Sequence, residues 1–403
     1  MASCDQPIMW QLEEMMEFCC RHKNLYIWGA AHDQQMLRKY LGICGIEVEG
    51  FIESKDHHRS WDGVYTIGSV AGKAGCIADV GILVATADDF FNRVIQEMTE
   101  YGFSAENFYL LSSYNKRTIS HKMTPRPRER MWIEVNLADH CNLNCQMCDH
   151  FSQLANPAFL DLNSYRRDIE RLAELSGGHI DIMKLQGGEP LLNEDLIEFI
   201  KVTRKAFPKA IIFLFTNGLL LKSWENHKRG NLWQICHDYD VKIELTVYPI
   251  NLKIEEIRQM AERYDVCLHE FSEVGDRNFP GVKHSQKHPF DLEGKVEKWQ
   301  FISCYQFNEC IVLRQGKLYT CPIIPYIHHF NTYFGEKLEI SKQDYIDIHQ
   351  AQSYEELAEF VTKRPEFCKY CKVRNRRAFE WKQSVYTIEE YVDLDKEAVS
   401  DGI

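Results

Sequence analysis

The chain has 403 residues, enough for two or three domains, and 45% of them are hydrophobic against 26% charged. A net charge of −12 argues against a general nucleic-acid binder, and the longest apolar runs are far too short to span a bilayer. Fifteen cysteines, with no basic stretch leading into an apolar one at the start, predict no secretion signal and a reducing, cytoplasmic setting, where clustered cysteines mean metal or redox chemistry rather than disulfides.

Residues 8–22 read as an opening helix. The stretch "LYIWGAAHDQQMLRKYLGICGIEVEGFIES" (25–54) reads strand, tight turn, helix, strand. "CIADVGILVAT" (76–86) is a buried strand, a helix follows near 88–101, and "FYLL" (108–111) is a short last strand. This alternation predicts a doubly wound, Rossmann-like α/β domain over 1–112. Gly29 follows a strand, Ala31 stands where a dinucleotide fingerprint has glycine, and Glu53 ends the next strand, where an acid meets a ribose. Such a turn offers backbone N–H groups and a helix dipole to a diphosphate. The plainer alternatives are a small domain with a tight first turn, or a docking module apart from catalysis. Residues 113–130 are polar, basic and Pro-containing, and are expected to be a linker.

A second series of strands starts at "MWIEVNL" (131–137) and continues with "IDIMKLQG", "AIIFLFTN", "VKIELTVY" and "DVCLHEF". Helical patterns intervene, such as "SYRRDIERLAEL", with Ile169, Leu172 and Leu175 on one face. A repeated βα series over 131–290 should carry its chemistry on the loops at the C-terminal strand ends. The first of those loops, "ADHCNLNCQMCDHFS" (138–152), holds Cys141, Cys145 and Cys148. Thiolates are soft ligands that suit zinc and iron–sulfur clusters. Three of them cannot close a structural zinc site without a fourth ligand, which His140 or His150 could supply. Equally, three can hold three irons of a [4Fe–4S] cube and leave the fourth iron open. Spacing alone leaves both readings standing.

This loop resembles the signature of the radical S-adenosylmethionine (radical SAM) enzymes, a CxxxCxxC loop after the first barrel strand. "QGGEP" (186–190), after the next strand, resembles the family's glycine-rich turn, which lets the backbone approach the SAM amino group. "TNG" (216–218) ends the third strand, where the family often has polar residues facing SAM. The resemblance covers roughly 131–272 and implies a partial (β/α)6 barrel. It implies Cys141, Cys145 and Cys148 as ligands of a catalytic [4Fe–4S] cluster, and Gly187, Gly188, Glu189, Pro190, Thr216 and Asn217 as SAM-binding residues. One departure is Met147, where the family usually has an aromatic residue. The implied chemistry is chelation of SAM by the unique iron, cleavage of its sulfonium by one electron from a flavodoxin- or ferredoxin-like partner, and hydrogen abstraction by the resulting 5′-deoxyadenosyl radical. His140 and His150 are read as hydrogen-bonding the loop backbone rather than ligating, and Asn142 and Asn144 as turn residues.

Residues 275–298 read as a loop, and 291–403 as a small α+β extension. It contains Cys304, Cys310, Cys321, Cys368 and Cys371. "CYQFNECIVLRQGKLYTC" puts Gly316 at a hairpin turn, with eleven residues between Cys304 and Gly316 and four between Gly316 and Cys321. This resembles the opening of the SPASM and twitch extensions of radical SAM enzymes, and "FCKYC" supplies a closing CxxC. The resemblance implies one auxiliary [4Fe–4S] cluster on Cys304, Cys321, Cys368 and Cys371, with Cys310 either replacing Cys304 or leaving an open iron. A zinc ribbon is the competing reading. Cys4, Cys19, Cys20, Cys44 and Cys76 read as ordinary core or surface thiols, and Cys236 and Cys267 as core cysteines within the barrel.

"CDHFSQLA" (148–155) resembles radical SAM proteins found with bacterial surface-polysaccharide biosynthesis. Residues 25–53 are similar to the N-terminal domain of bacterial sugar acyltransferases, which in those enzymes binds a UDP-sugar. Together these imply radical modification of a sugar or nucleotide-sugar by epimerisation, dehydration or dehydrogenation, with a small-molecule substrate, no nucleic acid and no membrane. A peptide or protein maturase is the alternative, set against the absence of a winged-helix pattern in 1–112.

Overall fold

Short Val-, Ile- and Leu-rich strands alternate with amphipathic helices along most of the chain. The computed structural model describes residues 6–54, 62–73, 75–271, 285–379 and 381–393. Cys4 and the part of the expected loop spanning 275–284 lie outside the described residues. By their contacts the residues fall into two units, one of 1–124, 297–304 and 362–364, the other of 125–296, 305–361 and 365–403.

The first unit runs α1 (Gln6–Arg21), β1 (Asn24–Trp28), α2 (His32–Ile43), β2 (Gly50–Glu53), β3 (Val64–Thr66), α3 (Ile67–Lys73), β4 (Val80–Val84), α4 (Phe91–Glu100), β5 (Phe108–Leu110) and α5 (Ser113–Met123). Its sheet is parallel in the order β3-β2-β1-β4-β5, with the first strand central. Trp28, Ile52, Val80, Ile82 and Val84 pack on Ile67 and Val70 of α3 and on Val94 and Met98 of α4. This is the doubly wound domain that the alternation predicts.

The expected linker at 113–130 is instead, for most of its length, helix α5 of this unit. Ser112 caps the helix by accepting from the Asn115 N–H at 3.3 Å. Ile119 and Met123 are buried, and α5 packs against α2. Its basic residues concealed the pattern, because Lys116 and Lys122 are themselves buried, as their aliphatic stems allow. The boundary between the units falls after Thr124.

The second unit begins with β6 (Trp132–Asn136), α6 (Leu162–Ser176), β7 (Ile182–Gln186), α7 (Leu196–Ala206), β8 (Ile211–Thr216), α8 (Leu232–Asp238), β9 (Val241–Thr246), α9 (Ile254–Tyr264) and β10 (Leu268–Phe271). These five strands pair in parallel in chain order. Period-2 alternation sorts their side chains. Ile133, Val135, Met183, Leu185, Ile212, Leu214, Ile243 and Leu245 join a core with Ile169 and Leu172 of α6, Phe199 of α7, Trp233 of α8 and Ile257 of α9. The alternate residues on the other face include Glu134, whose carboxylate accepts from Lys184 Nζ and Gln186 Nε2, both at 2.9 Å.

After β11 (Ser285–Lys287) come β12 (Ile311–Arg314), β13 (Lys317–Tyr319), α10 (Ile327–Phe334), β14 (Ile346–Asp347), α11 (Tyr354–Phe360) and β15 (Arg377–Phe379). β12 is a sixth parallel strand, and it joins β6, not β10, with Ile311 opposite Ile133. It turns at Gln315 and Gly316 (φ +50° and +73°) into β13, as a two-residue hairpin with both central residues left-handed. The sheet therefore runs β10-β9-β8-β7-β6-β12-β13-β14. The C-terminal region is thus no separate body over 291–403: residues 305–361 and 365–403 group with the barrel, and Glu297–Cys304 with the first unit. The physical reason is β12, which is hydrogen-bonded into the barrel's own sheet.

Candidate active site

The C-terminal ends of β6, β7 and β8 feed the three motifs into one place. The Leu137 N–H donates to Gln186 O at 2.7 Å, the Gly188 N–H to Ala138 O at 2.8 Å and the Glu189 N–H to His140 O at 3.1 Å. The QGGEP turn and the cysteine loop therefore touch backbone to backbone. A Cβ at Gly187 (φ +148°) would sit 2.5 Å from Ala138 O, and one at Gly188 would sit 2.1 Å from His140 O. The glycines are needed for this approach.

Glu189 is fully buried and turned away from solvent. Its carboxylate accepts from Thr216 Oγ1 at 2.8 Å, Leu191 N at 3.1 Å and Asn217 N at 3.0 Å. Burial pushes its pKa up to about 7 against those three donors. It clamps the end of β7 to the end of β8, and Pro190, also buried, opens a short 3-10 turn behind it. Of the six residues expected to bind SAM, Gly187, Gly188, Thr216 and Asn217 line the cleft, while Glu189 and Pro190 support it from behind.

The cleft has a volume of about 270 Å³, and Cys141, Cys145 and Cys148 all line it. The Cys141 sulfur accepts from Leu143 N at 3.3 Å and from Asn217 Nδ2 at 3.7 Å, so the TNG turn reaches the cysteine loop directly. Asn217 Nδ2 also donates to Asn142 Oδ1 at 2.8 Å. Burial drives the Cys141 thiol above its ordinary range. Burial acts the same way on Cys148, but the hydrogen bond and charge of His150 outweigh it and hold that thiol below its ordinary value. His140 Nδ1 accepts from Ala158 N at 3.2 Å, a loop-backbone bond. Met147 is buried in the left-handed region (φ +51°).

Does this loop fit an iron–sulfur cluster or zinc? Among the described residues, no three cysteine sulfurs lie within 4.8 Å of one another. Thiolates about 2.3 Å from one zinc would stand about 3.8 Å apart. A four-iron cube, with each thiolate on its own iron, takes a wider set, and three cysteines facing one cleft fit it. The group that does gather within 4.8 Å is Asp139, His328 and His329. It is an ion-pair cluster: the Arg314 guanidinium already grips both Asp139 oxygens at 2.7 and 2.8 Å, and its charge would repel a cation.

Beyond the cysteine loop and the two turns, the cleft is lined by Gln186, Phe215, Thr246, Tyr248, Phe271, Lys287 and Trp381, with Asp149 from the loop itself. Lys287 pairs with Asp149. Trp381 donates its indole N–H to the Cys145 sulfur at 3.1 Å, and its ring lies 5.4 Å from that of Tyr248. Residues 382–384 run antiparallel to the cysteine loop, with Gln146 N donating to Lys382 O at 3.0 Å and Ser384 N to Asn144 O at 2.8 Å. Sequence reasoning missed these residues. Phe215 and Thr246 could have been found from alternation at the ends of β8 and β9, but nothing local marks Trp381 or Lys287.

In the second cysteine set, Cys310 directly precedes β12, Cys321 follows β13, Cys368 lies within a 3-10 turn (Glu366–Tyr370) and Cys371 caps that turn's end. These four belong to the second unit, and Cys304 to the first. At the first unit's turn, the Gly29 N–H is already given to Ile52 O at 2.7 Å. Asp33 puts a carboxylate in the first turn of α2, where it accepts from Ser120 Oγ at 2.6 Å, and His32 Nε2 contacts Thr124 Oγ1 at 2.7 Å. The diphosphate seat expected at Gly29 is thus held by α5 and carries a negative charge of its own.

Residues 135–241 match the family model of the radical SAM superfamily. The chain carries a radical SAM domain. Domains of this superfamily work with a [4Fe–4S] cluster and SAM. A GTP 3′,8-cyclase of Clostridium perfringens (strain SM101 / Type A) is 34% identical over 97 residues, covering 23% of this chain and 29% of the relative. One from Nautilia profundicola is 30% identical over 227 residues, covering 56% of this chain and 65% of the relative. The chain therefore spans under a third of the first relative's length. Among solved structures, BtrN in complex with AdoMet and 2-DOIA is 18% identical, covers 65% of this chain and 97% of that one, and gives a TM-score of 0.39. AdoMet-bound anSMEcpe is 13% identical, covers 60% and 83%, and gives 0.36. Among the described residues, no helix is long and apolar enough to cross a membrane.

Proposed function

We propose that this radical SAM protein takes a hydrogen atom from a ring carbon of a sugar or nucleotide-sugar, leading to epimerisation, dehydration or dehydrogenation in surface-polysaccharide biosynthesis. When bound, the cluster and SAM supply the 5′-deoxyadenosyl radical, at the cost of one electron from a flavodoxin- or ferredoxin-like donor. Cys141, Cys145 and Cys148 would hold the cluster, and Gly187, Gly188, Thr216 and Asn217 would face SAM. The second cysteine set would hold an auxiliary [4Fe–4S] cluster, with three ligands from Cys321, Cys368 and Cys371 and the fourth from Cys304 or Cys310.

The observation that supports the substrate class is the mixed aromatic and polar lining of the cleft. Tyr248 and Trp381 present aromatic surface to the C–H face of a sugar ring, while Gln186, Thr246, Asp149 and Lys287 supply donors and acceptors for hydroxyls. The curated relatives are named for action on GTP, itself a nucleotide.

The test is anaerobic reconstitution with SAM and reductant, followed by incubation with ring-deuterated UDP-sugars, related nucleotide-sugars and GTP. Deuterium should appear in 5′-deoxyadenosine with a nucleotide-sugar. Transfer from a peptide substrate, and from none of the sugars, would replace this reading with a maturase.

A further inference from the structure

Each loop thiol has a donor beside it, and for two of the three thiols the donors are close in the chain or in a family motif. Cys148 has His150, and Cys141 has Leu143 N together with Asn217. Cys145 instead receives the indole N–H of Trp381, far along the chain and outside the family match at 135–241. The contact is held from both sides. Tyr248 lies against the indole ring, and the backbone bonds from Gln146 to Lys382 and from Ser384 to Asn144 fix residues 382–384 on the loop. The next turn is locked as well: Glu390, itself buried, accepts from Ser384 Oγ at 2.8 Å.

We propose that Trp381 is a positioning residue that sets the reduction potential of the cluster held by Cys141, Cys145 and Cys148, by donating its indole N–H to the Cys145 thiolate. The inference rests on that loop holding a [4Fe–4S] cluster. Reduction adds one electron, and part of the added charge resides on the thiolate sulfurs. A donor aimed at a sulfur therefore favours the reduced form and raises the potential. Tryptophan offers one N–H and no acceptor, so the sense of the bond is fixed. The same side chain forms part of the substrate wall, which places the thiolate donor and the substrate on one ring.

The experiment uses the full chain, reconstituted anaerobically. Trp381→Phe keeps an aromatic ring and removes the donor; Trp381→His restores a ring N–H. Each is titrated redox-potentiometrically, with the SAM-perturbed EPR signal identifying the loop cluster. In Trp381→Phe that cluster should be about tenfold harder to reduce, equal to about 59 mV for a one-electron couple, with Trp381→His recovering part of the shift. In the wild type, the Fe–S(Cys) Raman bands should move between H2O and D2O, and in Trp381→Phe that part of the shift should vanish. An unchanged potential in Trp381→Phe with full iron content overturns the proposal. If Trp381→Phe fails to hold iron, a wild-type Raman spectrum indifferent to D2O overturns it instead. No SAM-perturbed EPR signal even in the wild type would sink the cluster reading itself, which is a separate outcome.

Discussion

Gly188→Ala should open the contact between the QGGEP turn and the cysteine loop. The added Cβ would lie 2.1 Å from His140 O and 2.9 Å from Cys141 N, where ordinary contact begins near 3.4 Å, so the loop must retreat by more than 1 Å. That retreat breaks the Gly188 N–H to Ala138 O and Glu189 N–H to His140 O bonds. Two hydrogen bonds at about 1 kcal/mol each, plus overpacking of about 1 kcal/mol or more, give a local cost of about 3 kcal/mol. At about 1.4 kcal/mol per decade, that is a roughly hundredfold rise in local opening. Hydrogen exchange read by mass spectrometry on peptides covering 138–150 and 186–191 measures it without assuming that the two-unit chain unfolds in one step. The control is Gly177→Ala, at the C-terminal cap of α6, where φ is +65° but nothing lies within 4 Å of the added atom. It should cost about 1 kcal/mol of left-handed strain and leave the loop peptides unaltered. Exchange in the Gly188→Ala loop peptides within threefold of wild type would refute the steric reasoning.

Replacing Cys141, Cys145 and Cys148 together with Ala should abolish reductive SAM cleavage, measured as 5′-deoxyadenosine, while iron bound by the C-terminal cysteines remains. Full reconstitution should give about eight irons per chain by elemental analysis, from two four-iron clusters, whereas zinc in the second set would reveal a ribbon. Asp139→Asn should cost about 3 kcal/mol, seen as unfolding at lower urea, because it strips the largely buried Arg314 guanidinium of its anionic partner. Added zinc should not offset that loss, since the cluster is an ion pair.

Much of the barrel was legible because each strand shows its two-residue period and each helix its apolar stripe. Ile169, Leu172 and Leu175 face the core as their spacing requires. The glycine turn was legible because close approach demands glycine there, and the cysteine loop because three thiols so closely spaced point to ligand chemistry. Glu189 stood out as part of a motif, yet its role as a buried clamp depends on donors from β8, which local sequence does not contain. α5 was lost because buried lysine stems look like solvent-facing charge. Trp381 was lost because its partner lies 236 residues away. At the Gly29 turn the shape was legible, but the engagement of its N–H and of the helix start behind it within the domain depends on contacts with β2 and α5.

The placement of β12 has a consequence for biogenesis. The strand that leads into the cysteine loop gains its second neighbour only when residues 311–314 emerge from the ribosome. Until then β6 is an edge, with β7 on one flank and a row of open backbone groups on the other, a state prone to pairing with foreign strands. Residues 382–384, which lie along the loop itself, are made later still. Iron delivered before residues 382–384 are in place would meet a half-built loop, so a chaperone that shields the β6 edge should raise the yield of loadable protein.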